Sequence, residues 1–174
     1  TKTKVKGSDR WGWTLGKEQY DWLRSTLLGS QARYKFVFAH HLVGGNHSAS
    51  RGGVEAAPFF EWGGKEMDGT DTFAQHRPGW DKPVHQLFVE AGVSAFFHGH
   101  DHVYVQQSLD GVVYQEVPQP SATNYRNGPQ LAEEGGYVSG TILGSSGHLR
   151  VSVGPSEAKV EYVRSYLPKD EGQV

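Results

Sequence analysis

Two short apolar runs, residues 34–39 and 95–97, each stop at histidine, and this pairing constrains the chain more than any other feature. His40-His41 follows the first run, and His98-Gly99-His100-Asp101-His102 follows the second. Between them, residues 81–91 read as a helix. Asp81 is the expected N-cap and Pro83 lies in the first turn. Val84, Leu87, Phe88 and Ala91 form an i, i+3, i+4, i+7 stripe, and Gly92 is the stop. A strand–helix–strand crossover makes its two strands parallel, so their carboxyl ends share one sheet edge. Ligand sites of open α/β sheets form in the crevice beyond that edge. Topology alone is therefore expected to bring together histidines that lie far apart in sequence.

The remaining pattern extends this to an α/β domain with an antiparallel flank. Tyr20, Leu23, Leu27 and Leu28 predict a helix over 17–28 that ends at Gly29. Asp110-Gly111 between two alternating runs, 103–109 and 112–117, predicts a tight hairpin. Segments around 137–143, 149–153 and 159–166 alternate as half-exposed strands. Residues 118–136 read as loop. Residues 42–80 are Gly-rich without a sustained period, and a loop that long is usually a lid or an insert. Its aromatic residues, Phe59, Phe60, Trp62 and Trp80, are expected to pack it onto the body. There is no internal repeat and no linker, so the 174 residues are expected to form one domain.

With no Cys and nine His, imidazole is the chemical reserve of the chain. Disulfides, thiolate metal sites and a cysteine nucleophile are excluded. A net charge of −2 argues against a nucleic-acid surface that works by a basic field. No apolar run approaches the roughly 18 residues of a membrane span. Neutral imidazole is the commonest ligand of divalent transition metals. Positions two apart in extended chain share a face, so His100 and His102 are placed to bind one metal or flank two. Asp101, between them, points elsewhere and is expected to hold structure. His85 lies beside the apolar stripe and is expected to face solvent, with His76 and His148 as further bystanders.

These residues resemble the second half of a calcineurin-like metallophosphoesterase. The carriers are Leu15-Gly16-Lys17-Glu18-Gln19-Tyr20-Asp21-Trp22-Leu23, then Lys35-Phe36-Val37-Phe38-Ala39-His40-His41, then Phe97-His98-Gly99-His100-Asp101-His102-Val103-Tyr104. The resemblance covers roughly residues 11–117. It implies a β-sandwich flanked by helices, and a centre of two divalent metal ions (Zn, Mn or Fe) that hydrolyses phosphoesters. It further implies that His40 and His100 hold one metal and His102 the other. His41 and His98 are then candidates to orient these ligands or meet the phosphate. Arg51 and Arg77, in the long loop, are candidates to bind the phosphoester substrate bidentately.

The family's earlier motifs, Asp-x-His and Gly-Asp-x-x-Asp, do not occur in this chain. Gly45-Asn46-His47 resembles a third motif but follows His40 and is succeeded by Ser48, so it is read as a loop coincidence. Two metals about 3.5–4 Å apart need bridging carboxylate to offset their repulsion. The expectation is therefore that these residues form the C-terminal portion of a longer enzyme. They would supply histidine ligands to a missing N-terminal half and be inactive alone. Two other readings stay open: a cupin-like metal-dependent oxygenase, which also uses His-x-His, and a non-catalytic β-rich binding module.

Overall fold

The computed structural model describes residues 9–45, 52–121, 128–144, 146–170 and 172. The first long element is helix α1 (Lys17–Gly29), which buries Tyr20, Leu23 and Leu27, the stripe its sequence prescribes. Strand β1 (Phe36–Phe38) follows, then the short helices α2 (Phe60–Gly63) and α3 (Phe73–His76), then α4 (Val84–Ala91). Strand β2 (Ala95–His98) leads to the hairpin β3 (Tyr104–Leu109) and β4 (Val112–Glu116). Helix α5 (Gly128–Gly135) and strands β5 (Thr141–Leu143), β6 (Gly147–Val153) and β7 (Ala158–Arg164) complete the order.

The parallel crossover is present. β1 pairs in parallel with β2 in the register Phe36↔Ala95, Val37↔Phe96, Phe38↔Phe97. β2 in turn pairs in parallel with β4, so His98 stands beside Glu116. The five-stranded mixed sheet has the order β1-β2-β4-β3-β5, with β3 antiparallel to both of its neighbours. The β3–β4 turn holds Asp110 at φ 49° and Gly111 at φ 83°, the two left-handed residues that a right-twisted two-residue hairpin requires. β6 and β7 form a separate ribbon, attached to the body by Tyr162 stacking on Tyr104 at 4.5 Å.

Helices cover one face of this sheet. Tyr20, Leu23 and Leu27 of α1, Trp62 of α2 and Val84, Leu87 and Phe88 of α4 pack with Phe96, Val112 and Tyr114 of the strands. An eight-residue helix is too short to persist alone. α4 therefore owes its existence to this burial, at about 1.5–3 kcal/mol per large apolar side chain. A second cluster joins Val103 and Val105 to Ala132 and Tyr137.

Several expectations are corrected. α4 starts at Val84 with Pro83 as its cap, not at Asp81. The Tyr20 hydroxyl donates to the Lys82 carbonyl at 2.8 Å and accepts from the Lys82 N–H at 3.1 Å, which fixes the chain before the helix begins. Within 118–136, expected to be loop, residues 128–135 are helical. Their helix is held by Ala132 against Val103 and Val105, a partner that no local pattern announces. The 42–80 segment contributes buried Leu42, Val43, Ala56, Ala57, Phe60 and Trp62, so its described parts are core rather than lid. Among the described residues the sheet has β1 and β5 as its edges and helices on one face, unlike the closed all-β barrel a cupin-like reading requires. Among the described residues, no helix is long and apolar enough to cross a membrane.

Candidate metal centre

Beyond the carboxyl ends of β1 and β2 the two chains stay tied for two more residues. Ala39 N–H donates to the Phe97 carbonyl at 3.1 Å, and Gly99 N–H donates to the His40 carbonyl at 2.8 Å. This pairing delivers His40 and His100 to one spot although 60 residues separate them, and His40 Nε2 and His100 Nδ1 share a hydrogen bond at 3.0 Å. The His41 ring completes the group, with its centroid 5.1 Å from His100 and 5.2 Å from His40. His40 is exposed, while His41 and His100 are half-buried. Burial lowers the pKa of His41, and the neighbouring His40 acts in the same direction. His102 is exposed.

The turn that carries these imidazoles has an uncommon backbone. His100 has φ 96° and His102 φ 57°, left-handed values that cost an L-residue about 1–2 kcal/mol each. Asp101, between them, is buried and anchored on three sides. Its backbone N–H donates to Glu116 Oε1 at 3.0 Å. Its Oδ2 accepts from the Gly52 N–H at 3.0 Å and from the Tyr137 hydroxyl at 2.8 Å. As expected from the sequence, Asp101 holds structure.

Beneath the turn lies a buried acid–base pair. His98 Nδ1 is 2.7 Å from Glu116 Oε2, and neither side chain reaches solvent by more than a percent. The contact follows from register, since the two residues are partners on adjacent parallel strands and share the helix-covered face with Phe96 and Tyr114. Burial, and then the Asp101 carboxylate, push the Glu116 carboxyl up to about 9, while burial pushes His98 down to about 3. Burial thus favours the neutral form of each group near pH 7. Burial, reinforced by the Glu116 and Asp101 carboxylates, also raises the Tyr137 phenol.

Of the sequence-predicted residues, the fold brings His40, His41 and His100 together and puts His98 below them. Arg77 is elsewhere. Its Nε donates to Glu61 Oε2 at 2.5 Å and its Nη2 to the Trp11 carbonyl at 2.7 Å, and its guanidinium lies over the rings of Trp11 and Trp80. Arg77 is thus the partner of a fully buried carboxylate, and the expectation of a substrate contact is corrected. Arg51, Asn46 and His47 lie outside the described residues. His85 is also corrected: it is buried, with Nδ1 2.8 Å from the Tyr114 hydroxyl and Nε2 3.0 Å from Asp110 Oδ2. The Tyr114 oxygen also accepts from Trp62 Nε1–H at 2.9 Å, so one hydroxyl serves both Trp62 and His85.

Sequence reasoning missed Glu116 and Tyr137 as parts of this region. The available signal for Glu116 was an acidic residue inside an otherwise buried strand, since a buried carboxylate needs a local partner. No signal marked Tyr137.

The donors gathered here are imidazole nitrogens, the commonest protein ligands of divalent transition metals. Two nitrogens on one tetrahedral ion at about 2.0–2.1 Å lie about 3.4 Å apart. The 3.0 Å between His40 Nε2 and His100 Nδ1 is close to that spacing. The fit stops at imidazole. Among the described residues, no group of three or more His, Asp or Glu side chains is gathered as a ready cage for an ion. Asp101 and Glu116, the carboxylates under the cluster, are committed to the bonds above. In comparison with known proteins, no family model matches the chain and no curated protein matches it.

Proposed function

We propose that this chain is the histidine-bearing C-terminal portion of a metal-dependent phosphoesterase. It contributes His40, His100 and His102 to a centre of two divalent ions of the Zn, Mn or Fe class, and His41 and His98 act behind them. One observation carries the reading: two parallel strands end side by side and bring the His40 and His100 imidazoles into a hydrogen bond, with the His41 ring packed beside both. Metals at such a centre supply an activated water and a clamp for phosphoryl oxygens. The residues of this chain do the holding. The β1–β2 pairing fixes His40 against His100, and the half-buried position of His41 favours its neutral form, which adds no positive charge behind the ligands. The bridging carboxylates, which the described residues do not spare, come from the rest of the protein, so the chain alone binds metal without turnover.

Calorimetric titration with Zn²⁺ tests this directly. The 174-residue chain is expected to bind zinc, and His40→Ala and His100→Ala are each expected to lose most of that affinity. p-Nitrophenyl phosphate hydrolysis with added Mn²⁺ or Zn²⁺ is expected to stay at background. Zinc binding that ignores both substitutions refutes the ligand assignment. Strong metal-dependent turnover by the chain alone refutes the missing-carboxylate argument.

A further inference from the structure

We infer that Glu116, together with Tyr137, is a positioning residue that sets the directions of His100 and His102 by clamping Asp101 between them. The inference rests on the reading of these imidazoles as metal ligands, but the clamp is visible without it. Two residues that flank Asp101 adopt left-handed backbone, His100 at φ 96° and His102 at φ 57°. Such a conformation persists in non-glycine residues only where the surroundings over-determine it.

The surroundings here do so from three elements distant in sequence. β4 supplies the Glu116 oxygen to the Asp101 N–H, holding the backbone at the centre of the turn. The segment after α5 supplies the Tyr137 hydroxyl, which donates to Asp101 Oδ2 and lies 3.4 Å from Glu116 Oε2, so one phenol ties both carboxyl groups. The 52–54 segment supplies the Gly52 N–H. It is itself fixed by Val54 N–H donating to Gln107 Oε1 at 3.1 Å. The Tyr137 ring also lies close to the backbone at Gly135. A methyl placed there would sit 2.6 Å from the ring and 3.3 Å from Asp101 Oδ2.

Asp101, Glu116 and Tyr137 are all buried. None of them needs to touch substrate or metal. Their effect on a bound ion passes through the angle at which the two imidazoles are presented, and outer-shell partners of this kind commonly govern affinity.

The test uses Glu116→Leu, Glu116→Gln and Tyr137→Phe in the full chain. It reads the resonances of the His100 and His102 imidazoles by ¹H–¹³C NMR without metal, and Zn²⁺ affinity by calorimetry. Glu116→Leu is expected to shift both sets of resonances and weaken zinc binding by about 10-fold or more. Glu116→Gln keeps an acceptor for the Asp101 N–H and is expected to retain wild-type resonances and affinity. Tyr137→Phe preserves the ring, removes only the donated proton, and is expected to move the resonances in the same direction as Glu116→Leu. It also serves as the readout if Glu116→Leu fails to fold. Unchanged resonances in Tyr137→Phe, or a Glu116→Gln chain as impaired as Glu116→Leu, overturn the inference. A wild-type chain that binds no zinc, but whose resonances respond as described, overturns the metal reading and leaves the positioning role in place.

Discussion

Replacing Arg77 by Met separates the two roles available to this side chain. Glu61 is fully buried and accepts three bonds: from Thr14 Oγ1 at 2.5 Å, from the Leu15 N–H at 2.8 Å and from Arg77 Nε at 2.5 Å. Only the last donor carries a charge. Arg77→Met leaves the neutral donors and strands the carboxylate, a loss worth about 3–5 kcal/mol when one member of a buried pair is removed. The guanidinium also lies 5.2 Å from the Trp11 ring and 5.5 Å from the Trp80 ring, and each contact adds about 0.5–1 kcal/mol. For a chain of this size, 3–5 kcal/mol lowers the melting temperature by about 6–20 °C.

Urea unfolding followed by tryptophan fluorescence measures this change, since Trp11, Trp62 and Trp80 report on the surrounding core. The double variant Glu61→Gln/Arg77→Met removes the stranded charge and keeps an acceptor for Leu15, and it is expected to regain most of the lost stability. A loss below about 1 kcal/mol, the range of an exposed pair, refutes the reasoning. So does a double variant no more stable than Arg77→Met.

Other outcomes follow from the same contacts. Tyr114→Phe removes the hydroxyl shared by Trp62 and His85 while preserving the ring, so it is expected to destabilise the chain by about 2–4 kcal/mol. His85→Ala is expected to be destabilising too, and a silent His85→Ala in thermal melts rejects its buried role. Stability is also expected to vary with pH in a defined way. His98 has its folded pKa depressed to about 3, so its contribution is complete above its ordinary 6.5 and is lost as pH falls toward 3. Glu116 has its folded pKa raised to about 9, so its contribution is complete below its ordinary 4.5 and is lost as pH rises toward 9. The two slopes cancel between pH 4.5 and 6.5, giving a plateau with a decline on either side. Urea midpoints of Glu116→Gln are expected to lack the alkaline decline attributable to this pair, and a variant that keeps the wild-type slope there contradicts the assignment.

The legible part of the site was its location. The apolar runs before His40 and His98, with the α4 stripe between them, dictate a parallel crossover, and a parallel crossover dictates a shared edge. The illegible part was what supports it. Asp101 sits between two histidines as a local fact, but its partners arrive from residues 52, 116 and 137, and no short-range pattern encodes those distances. Arg77 failed for the same reason. A guanidinium in a Gly-rich segment looks available for phosphate until Glu61, 16 residues earlier, is seen to be buried against it. His85 was misplaced because the stripe of α4 was drawn from its apolar residues alone. An imidazole joins that stripe when a buried hydroxyl, here that of Tyr114, satisfies its nitrogen.

The sequence by itself determined the periodicities, and with them the α1 and α4 faces, the two apolar strands, the Asp110-Gly111 turn and the edge to which the histidines go. Those features depend on steric preferences and burial patterns that act over a few residues. Only the tertiary structure decided which groups are neutral, which are tied down, and which are left exposed at the sheet edge. Those outcomes depend on desolvation and on hydrogen bonds between strands and loops far apart in the chain. His98 shows the division most clearly. Its place at the end of a buried strand was readable in sequence, but its neutrality is set by burial in the packed protein, where the β2–β4 register also places it beside Glu116.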